Sequence, residues 1–409
     1  MKIGLLAYHS VNNFGAKLQL LSTYCYFRNC NIETVIINWV PKDLEHFYVQ
    51  NDVQTVVNFS FRKKYWNETS VCRNAKEIAE VIKQEGITAV VIGSDAVAQH
   101  HPLFERIRFS KKKLFCISHP TSDRMFPNPF WGEFNNYLNN KIPIAVISAS
   151  SQDSDYHLFS YKTRKQMYNC IKEYCFLSAR DPWTQKMYQY ISCGSIVPKV
   201  TPDPVFGFNM NAANILPERQ EILSKFGLNE KYVLASFRKP SCVSQKWIDL
   251  LKIECNKRHL QLVSLPFSDE TDFGEMDKKI EYPISPLDWY SLIKYSNGYI
   301  GNNMHPIVVS LHNCIPFYSF DNYGSRRLFG TIKSDKSSKI KHIVSISGLT
   351  NNRVSCISRR FTPPTPEKVV SAIINFDYEK CASFAKAWTK EYGEMMSNVV
   401  SILQNKDIV

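Results

Sequence analysis

The chain has 409 residues, of which 44% are hydrophobic, and a formal net charge of +13. This length predicts two domains or three, each able to bury a core. No apolar run is long enough to cross a membrane, and the N-terminus enters a strand pattern without the layout of a cleavable signal, so we expect a cytoplasmic protein.

The basic excess fits three kinds of partner: an anionic small molecule, an anionic membrane surface or nucleic acid. The sequence has no Arg-rich helix, zinc-finger spacing or RNP-type aromatic pattern, which argues against nucleic acid. The twelve cysteines are scattered singly without a C-x-x-C, so we expect reduced thiols. No metal-ligand spacing occurs either.

The first half of the chain alternates strands and helices, which predicts an α/β sheet. The predicted elements are strand 2–8, helix 15–28, strand 33–39, helix 75–85, strand 89–93, strand 142–148, helix 161–173, strand 174–179 and helix 182–192. Together they define an N-terminal domain over residues 1–205.

Two stretches that are both basic and aromatic interrupt this alternation, and we expect irregular insertions at 42–70 and 96–141. The second stretch contains Arg106, Arg108, Lys111, Lys112, Lys113, Phe126, Phe130 and Trp131. This mixture suits a sugar-lipid acceptor or a membrane interface. The alternative is a solvated insertion with a few aromatic side chains packed beneath it.

The second half repeats the alternation after a connection at 206–230, which carries a short helix ending at Gly227. The predicted elements of the second domain, residues 231–376, are strand 232–237, helix 245–258, strand 261–265, helix 286–296, a strand ending near 301, helix 306–313, strand 314–320 and helix 366–376. Residues 377–409 form a last helix, predicted at 378–404. Apolar residues recur along it at helical spacing, so we expect it to strap the domains together.

Three strand-to-helix turns of the first domain carry polar residues that suit a ligand. Asn13 and Gly15 lie in a turn where backbone N–H groups could approach a phosphate. Ser94 and Asp95 close a strand, and Asp95 could orient a sugar hydroxyl or act as a base. Arg180 offers five donors to a carboxylate or phosphate.

Each of these turns also has a purely structural interpretation. The first turn could bind nothing, Asp95 could be the N-cap of a following helix, and Arg180 could pair with a neighbouring acid. Asp203, in the sequence Thr-Pro-Asp-Pro, is a further candidate that could instead fix the hinge between the domains.

The segment 298–324 carries the strongest functional signal. His305 follows a strand end, and Pro306 suits the first position of a helix. An imidazole at a helix N-terminus favours the neutral form, and a bound anion would restore its proton, which makes a workable general acid. The alternative is a histidine that caps its own helix. Asn303, Tyr323, Arg326 and Arg327 belong to the same segment or follow it closely.

Taken together, these turns resemble the polysaccharide pyruvyl transferase family. The resemblance covers residues 1–330, and its motifs in chain order are Tyr-His-Ser-Val-Asn-Asn-Phe-Gly-Ala at 8–16, Gly-Ser-Asp at 93–95, Ser-Ala-Arg-Asp at 178–181, Thr-Pro-Asp-Pro at 201–204, Met-His at 304–305 and Ile-Pro at 315–316. It implies a GT-B-like α/β fold in which two Rossmann-like domains face a cleft and C-terminal helices pack across both. It also implies transfer of pyruvate from phosphoenolpyruvate onto a sugar as a ketal, in the synthesis of a capsule, exopolysaccharide or cell-wall polymer. No metal or organic cofactor is implied.

The resemblance assigns roles to the candidate residues. His305 would protonate the methylene carbon of the donor, Arg180 would hold the donor's carboxylate or phosphate, and Asp95 would orient or deprotonate an acceptor hydroxyl. The first domain would take the acceptor and the second the donor. We expect Asn13, Gly15, Ser94, Asp203, Asn303, Tyr323 and Arg326 to contribute to substrate binding.

One position departs from the family pattern. The family usually has an arginine two residues before the histidine, where this chain has Asn303. Arg326 or Arg327 could supply the missing charge from the following loop.

The partners expected are phosphoenolpyruvate and a lipid-linked oligosaccharide acceptor, with peripheral membrane contact and no nucleic acid. Two other functions stay open: a GT-B glycosyltransferase that uses a nucleotide sugar, and a non-catalytic relative that binds a sugar or an anion.

Overall fold

A computed structural model describes residues 1–48, 52–110, 114–237, 242–266, 276–327, 332–358 and 360–406. The first-domain strands are β1 (Lys2–Leu6), β2 (Glu33–Ile36), β3 (Ala89–Ile92), β4 (Ile107–Ser110), β5 (Leu114–Ile117), β6 (Ile144–Ala149), β7 (Phe176–Ala179) and β8 (Lys199–Val200). Its helices are α1 (Phe14–Asn29), α2 (Glu45–Tyr48), α3 (Val53–Tyr65), α4 (Ala75–Glu85), α5 (Leu103–Arg106), α6 (Tyr161–Ile171) and α7 (Pro182–Ile191). Short 3-10 turns lie at Lys42–Leu44, Ser122–Arg124, Pro129–Trp131, Glu133–Tyr137 and Tyr156–Leu158.

Strands β2-β1-β3-β6-β7-β8 form a six-stranded parallel sheet in that order. Strand β3 is buried at every residue, because helices cover both faces of a parallel sheet. The strand order reverses at β1, since β2 lies on one side of it and β3 on the other. A crevice opens at such a switch point, beyond the carboxyl ends of the strands. The turns that follow β1 and β3 therefore meet at this crevice.

The connection contains α8 (Phe208–Ala212) and α9 (Arg219–Phe226), with 3-10 turns at Pro204–Gly207 and Ala213–Ile215. The second-domain strands are β9 (Tyr232–Ser236), β10 (Gln261–Ser264), β11 (Lys278–Lys279), β12 (Tyr299–Gly301), β13 (Phe317–Asp321), β14 (Ser325–Arg327), β15 (Ile332–Ser334) and β16 (Arg353–Ser355). Its helices are α10 (Gln245–Asn256), α11 (Pro286–Lys294), α12 (Met304–His312), α13 (Lys339–Ile346) and α14 (Pro366–Ile374), and 3-10 turns lie at Asp335–Ser337 and Thr350–Asn352. The chain ends in α15 (Tyr378–Lys406).

The second sheet is also parallel and six-stranded, in the order β11-β10-β9-β12-β13-β16. Its order reverses between β9 and β12. The turn after β12, which leads into α12 and His305, therefore lies at the switch point of the second domain. Each domain thus presents one candidate turn at the edge of its sheet where ligands bind.

Three local expectations need correction. Helix α12 begins at Met304, after the N-cap residue Asn303, and not at Pro306. Proline is tolerated within the first helical turn because the N–H groups there have no partner inside the helix.

Residues 42–70 are not irregular, since they include α3, where the Asp52 carboxylate accepts a hydrogen bond of 2.7 Å from the Thr55 N–H. This helix was missed because it buries Gln54 and Asn58 in place of a broad apolar stripe.

The 96–141 insertion combines a β-hairpin with packed aromatic side chains. Phe130 and Trp131 are buried, as the alternative interpretation of this stretch expected. The antiparallel pairing of β4 with β5 was not predicted. Lys111, Lys112 and Lys113 lie outside the described residues.

Helix α15 straps the two domains together, as its apolar spacing predicted. It packs against α12 of the second domain and against the 204–207 turn beside the first. Tyr392 is fully buried there, and its hydroxyl accepts a 3.1 Å hydrogen bond from Asn211 Nδ2. Gly207 packs so tightly against Tyr392 that an added Cβ would lie 2.0 Å from the ring.

Because Tyr392 fills this junction, Tyr392→Ala should lower the free energy of unfolding by about 3–5 kcal/mol. Tyr378 starts the same helix and is 52% exposed, so Tyr378→Ala should change it by about 0.5 kcal/mol or less. Thermal and urea unfolding of both variants check this. An equal loss of unfolding free energy in the two variants would contradict the interpretation that α15 holds the two domains together through Tyr392.

Candidate active site

Arg180 is the centre of a buried charge cluster that joins three turns of the first sheet. Its side chain is 2% exposed. Its Nη1 donates to Asp203 Oδ2 at 3.0 Å, and its Nη2 donates to Asp95 Oδ1 at 3.2 Å. The structural alternative for Arg180, pairing with nearby acids, is therefore present in the fold. Each terminal nitrogen keeps a second N–H, and Nε has no hydrogen-bond partner among the described residues, but the two carboxylate contacts fix the guanidinium in place. Arg180 therefore positions Asp95 and Asp203.

Asp95 lies at the end of β3 with a positive φ of 75°, and it does not cap a helix, because α5 begins only at Leu103. Burial by itself would raise the pKa of the Asp95 carboxyl. The positive charges of Arg180, then Lys339 and His305, outweigh burial and lower the pKa to about 2. A carboxylate this acidic is a weak base near neutral pH, so the geometry favours orientation of a hydroxyl over its deprotonation.

Asp203 ties the first domain to the connection. Its carboxylate accepts hydrogen bonds from Arg180, from Gln19 Nε2 of α1 at 2.5 Å and from the Val205 N–H at 3.0 Å. These contacts join Asp203 to Arg180, α1 and the start of the connection, and its role at a hinge stays a prediction.

Gly15 brings the first domain into direct contact with His305 of the second. A Cβ added to Gly15 would lie 2.0 Å from His305 Cγ, so only glycine fits beneath the imidazole. Asn13 caps α1 by accepting a 3.3 Å hydrogen bond from the Ala16 N–H, and buried Lys17 donates to the Val11 carbonyl. These contacts fix the turn that carries Gly15. The glycine is needed for close approach, and no phosphate cradle has to be invoked.

His305 is half-buried, and its Nε2 is shielded from solvent and has no hydrogen-bond partner in the described part of the chain. Burial lowers the pKa of His305, and the nearby charges of Arg180 and Lys339 lower it further. The carboxylates of Asp95 and Asp203 oppose that shift. The imidazole is therefore held neutral near pH 7, and a bound anion would favour its protonation.

Two predicted site residues serve the interior of their own domain. Ser94 is buried and donates a 3.0 Å hydrogen bond to the Ser148 carbonyl. Asn303 is 2% exposed, and its N–H donates to the Tyr299 hydroxyl at 3.4 Å. Asn303 therefore does not take the place of the arginine's charge in the site.

A cleft of about 550 Å³ opens between the 96–141 insertion and the segment of the second domain from 322 to 339. Tyr323 and Arg326 line it, and their expected role in substrate binding stays a prediction. The side chain of Arg327 lies outside the described residues. Cationic side chains outnumber the acids Glu105 and Asp153 on its walls. The cations are Arg106, Arg108, Arg124, Arg326, Lys333 and Lys339. The cleft therefore suits an anionic ligand.

Lys339 is a site residue that the sequence did not indicate. It is the first residue of α13, is 4% exposed and lines the cleft, with its Nζ 6.0 Å from the centre of the Tyr323 ring. Burial, then the charge of Arg180, lowers the pKa of Lys339 to about 8. Its Nζ makes no salt bridge within the described ranges. Lys339 is therefore a buried cation that lines the cleft beside the Tyr323 ring and, among the described residues, has no carboxylate in salt-bridge contact.

Lys339 was overlooked because its neighbours read as an ordinary basic, serine-rich surface run, Ser-Asp-Lys-Ser-Ser-Lys at 334–339. Its burial arises from tertiary packing, since the 335–337 turn lies against α7 of the first domain. No sequence period marks such a contact.

The described residues contain no group of His, Cys, Asp and Glu side chains arranged to hold a metal ion. None of their helices combines the length and apolar character needed to span a membrane.

Solved structures with the same architecture define the fold class. UDP-GlcNAc 2-epimerase from Neisseria meningitidis, solved with UDP-GlcNAc, superposes with a TM-score of 0.52 at 9% identity, covering 99% of this chain and 100% of that chain. UGT73P12 of Glycyrrhiza uralensis superposes with a TM-score of 0.53 at 10% identity, covering 100% of this chain and 96% of that chain. UDP-GlcNAc 2-epimerase of Methanocaldococcus jannaschii superposes with a TM-score of 0.51 at 11% identity, covering 99% of this chain and 100% of that chain. At these identities the likeness shows the fold alone, and that fold is GT-B.

The family model for polysaccharide pyruvyl transferase matches residues 13–325. The chain therefore belongs to the polysaccharide pyruvyl transferase family, as the order of its turns indicated. A search of the curated proteins finds no match.

The contact of Gly15 with His305 gives a direct test of the site geometry. Gly15→Ala should lower the free energy of unfolding by about 1–3 kcal/mol, because its new methyl group overlaps the imidazole. Adding His305→Ala should recover most of that loss, since the ring is then gone.

Gly393 in α15 is the matched control, because nothing among the described residues lies within 4 Å of an added Cβ. Gly393→Ala should be neutral or stabilise the protein by roughly 0.5–1 kcal/mol. Urea unfolding of the four proteins measures these terms. If Gly15→Ala lowers the free energy of unfolding by the same amount with and without His305→Ala, the two residues do not touch.

Proposed function

We propose that this protein transfers pyruvate from phosphoenolpyruvate to a pair of hydroxyls on a sugar, forming a cyclic ketal and releasing phosphate. The observation that carries this proposal is the position of His305. Its buried, unpartnered Nε2 lies where the two domains meet, beside Asp95, Arg180 and Lys339. A bound anion raises the pKa of such a group, so the imidazole can take up a proton when an anionic substrate binds.

The first step in this proposal is protonation of the donor. Protonated His305 delivers its proton to the methylene carbon of phosphoenolpyruvate, and the adjacent carbon becomes a cation-like centre. One sugar hydroxyl attacks that centre and loses its proton. Phosphate leaves, the second hydroxyl attacks, and its proton is released. One C–H and two C–O bonds form, and the C=C π bond, the C–O bond to phosphate and two O–H bonds break. Of the two protons released by the hydroxyls, one restores the proton that His305 gave to carbon and the other leaves with phosphate or solvent, so no oxidant or reductant is required.

Lys339 supplies the charge that Asn303 cannot. It faces the basic cleft from a buried position and has no salt-bridge partner in the described ranges, so a phosphate or carboxylate oxygen can become its counter-ion. Arg180 then acts as a positioning residue, because its two carboxylate contacts hold Asp95 and Asp203 in place. Asp95 orients an acceptor hydroxyl, and Tyr323 and Arg326 contact the ligand from the cleft wall.

The acceptor in this proposal is a sugar of a capsule, exopolysaccharide or cell-wall precursor, carried on a lipid at the cytoplasmic face of a membrane. The basic cleft supports it, because a lipid-linked sugar carries phosphate groups of its own. No metal or organic cofactor takes part in the proposed reaction.

The activity test uses phosphoenolpyruvate and methyl glycosides of common hexoses, with phosphate release and proton NMR as readouts. Transfer converts the methylene signal of the donor into a new methyl signal on a ketal, whereas simple hydrolysis gives free pyruvate. We expect His305→Gln to lower kcat by about 100-fold or more. Absence of donor consumption with every acceptor, including lipid-linked ones, would overturn the proposed reaction.

Lys339 predicts a particular pH dependence of donor binding. With a pKa of about 8, Lys339 is charged below pH 8 and loses its proton above it, so the affinity for phosphoenolpyruvate should fall as the pH rises from about 8 to 9. Lys339→Gln should weaken binding about tenfold or more at pH 7 and remove this fall.

Lys339→Arg is the matched control, because arginine stays charged across this range. Its phosphoenolpyruvate affinity should not decline between pH 8 and 9. Calorimetric titration of the three proteins measures these affinities. An identical pH profile in wild type and Lys339→Gln would exclude Lys339 as the donor's counter-ion.

A further inference from the structure

The β4–β5 hairpin carries an apolar surface of its own. Phe109 is 53% exposed, Leu114 66%, Phe115 47% and Ile117 48%, and in the preceding helix α5 Leu103 is 51% and Phe104 68% exposed. Isolated exposed apolar side chains are ordinary, but a cluster in one short segment marks a surface that binds another apolar phase. We call α5, β4 and β5 together the hairpin unit.

The hairpin unit is firmly held at its base. Glu105 of α5 is buried, and its carboxylate contacts His101 Nδ1 at 2.8 Å and accepts from the Asp155 N–H at 3.0 Å. The Ser118 N–H donates to the Arg106 carbonyl at 2.9 Å and closes the end of the hairpin. The apolar surface is thus presented by an anchored segment.

The two faces of the hairpin differ in chemistry. Directly opposed residues share a face, so Ile107 with Ile117 and Phe109 with Phe115 form one apolar face. The rings of Phe109 and Phe115 pack edge to face at 6.1 Å. Arg108, one residue along the strand, belongs to the opposite face and lines the basic cleft. The hairpin is therefore a wall with cations toward the cleft and apolar side chains on its other side.

We propose that the hairpin unit docks the protein on the surface of a bilayer that contains anionic lipids. Phenylalanine and leucine side chains at the edge of a cationic surface fit the boundary between lipid headgroups and acyl chains. Arg106 at the base of the hairpin and Arg124, whose side chain is 56% exposed, add positive charge next to the hairpin unit, and the chain as a whole carries a formal net charge of +13.

Charge complementarity selects this occupant. A purely apolar protein partner would not require cations next to its docking site, whereas an anionic bilayer offers acyl chains to the apolar face and headgroup phosphates to the arginines of the adjoining cleft. The inference goes beyond the proposed ketal transfer, and it adds a route for a lipid-linked acceptor, because the cleft opens next to the docked wall. That last point rests on the proposed function, but the docking itself does not.

Co-sedimentation with extruded vesicles tests the docking without any turnover. The wild-type protein should pellet with phosphatidylglycerol-rich vesicles and much less with phosphatidylcholine alone, and raising the salt concentration should weaken the binding. Phe109→Ser/Ile117→Ser should reduce binding by about tenfold or more, since it removes two side chains of the apolar face from the bilayer contact.

Leu250→Ser/Ile253→Ser is the matched control, because these α10 residues are 44% and 51% exposed in the second domain, on an element distinct from the hairpin unit. This variant should bind like wild type. Circular dichroism and thermal unfolding establish that both double variants are folded. Lack of wild-type binding to anionic vesicles, or equal binding by both variants, would overturn the proposal. So would dimerisation that Phe109→Ser/Ile117→Ser abolishes in sedimentation velocity without any effect on vesicle binding.

Phosphoenolpyruvate consumption with a water-soluble methyl glycoside separates this proposal from the ketal transfer. If the wild-type protein consumes phosphoenolpyruvate with this glycoside but does not bind vesicles, the docking proposal fails and the ketal transfer stands. Vesicle binding without any such activity, even with lipid-linked acceptors, would leave docking intact and overturn the reaction.

Discussion

The close contact between Gly15 and His305 is the constraint on which the rest of the site depends. The contact requires a glycine where β1 leads into α1 in the first domain, and an imidazole at the start of α12 in the second domain. Both turns lie at the switch points of their parallel sheets, where helix N-termini and strand ends meet. The His305 imidazole, carried by the second domain, is therefore packed against the backbone of the first domain where the two sheets face each other.

Charge within this junction is balanced over a short range. Arg180 pairs with both Asp95 and Asp203 in a buried environment, where removing one partner would leave a charge unpaired at a cost of about 3–5 kcal/mol. One guanidinium offsets only one of the two carboxylates, and Lys339, which makes no salt bridge among the described residues, brings a second positive charge near them. His305 is held neutral. In the proposed reaction a bound anion would raise the pKa of His305, so that the imidazole takes up the proton that the chemistry uses.

Much of the fold could be predicted from the sequence, because the buried strands of a parallel sheet are continuous apolar runs and the helices between them have apolar residues at helical spacing. Strand 89–93 and helix 75–85 were visible from continuous apolar runs and helical spacing, and His305 was placed at a strand end by the residues around it. The sequence could not reveal which turns meet, since the Gly15–His305 contact spans 290 positions. Lys339 and the β4–β5 hairpin were not predicted for a related reason. Lys339 is buried by contact with an element that is distant in the sequence, and the hairpin carries exposed apolar side chains that do not follow the pattern of a buried core.

An NMR titration of the His305 imidazole, with and without phosphoenolpyruvate, tests the central claim most directly. In the free protein the imidazole should titrate below its ordinary pKa of about 6.5, because burial and nearby cations disfavour its charge. Saturating phosphoenolpyruvate should raise the pKa by about one unit or more, since the anion stabilises the imidazolium. An imidazole whose titration does not change while phosphoenolpyruvate is bound would contradict the proposed acid. Binding of a nucleotide sugar without binding of phosphoenolpyruvate would contradict the donor.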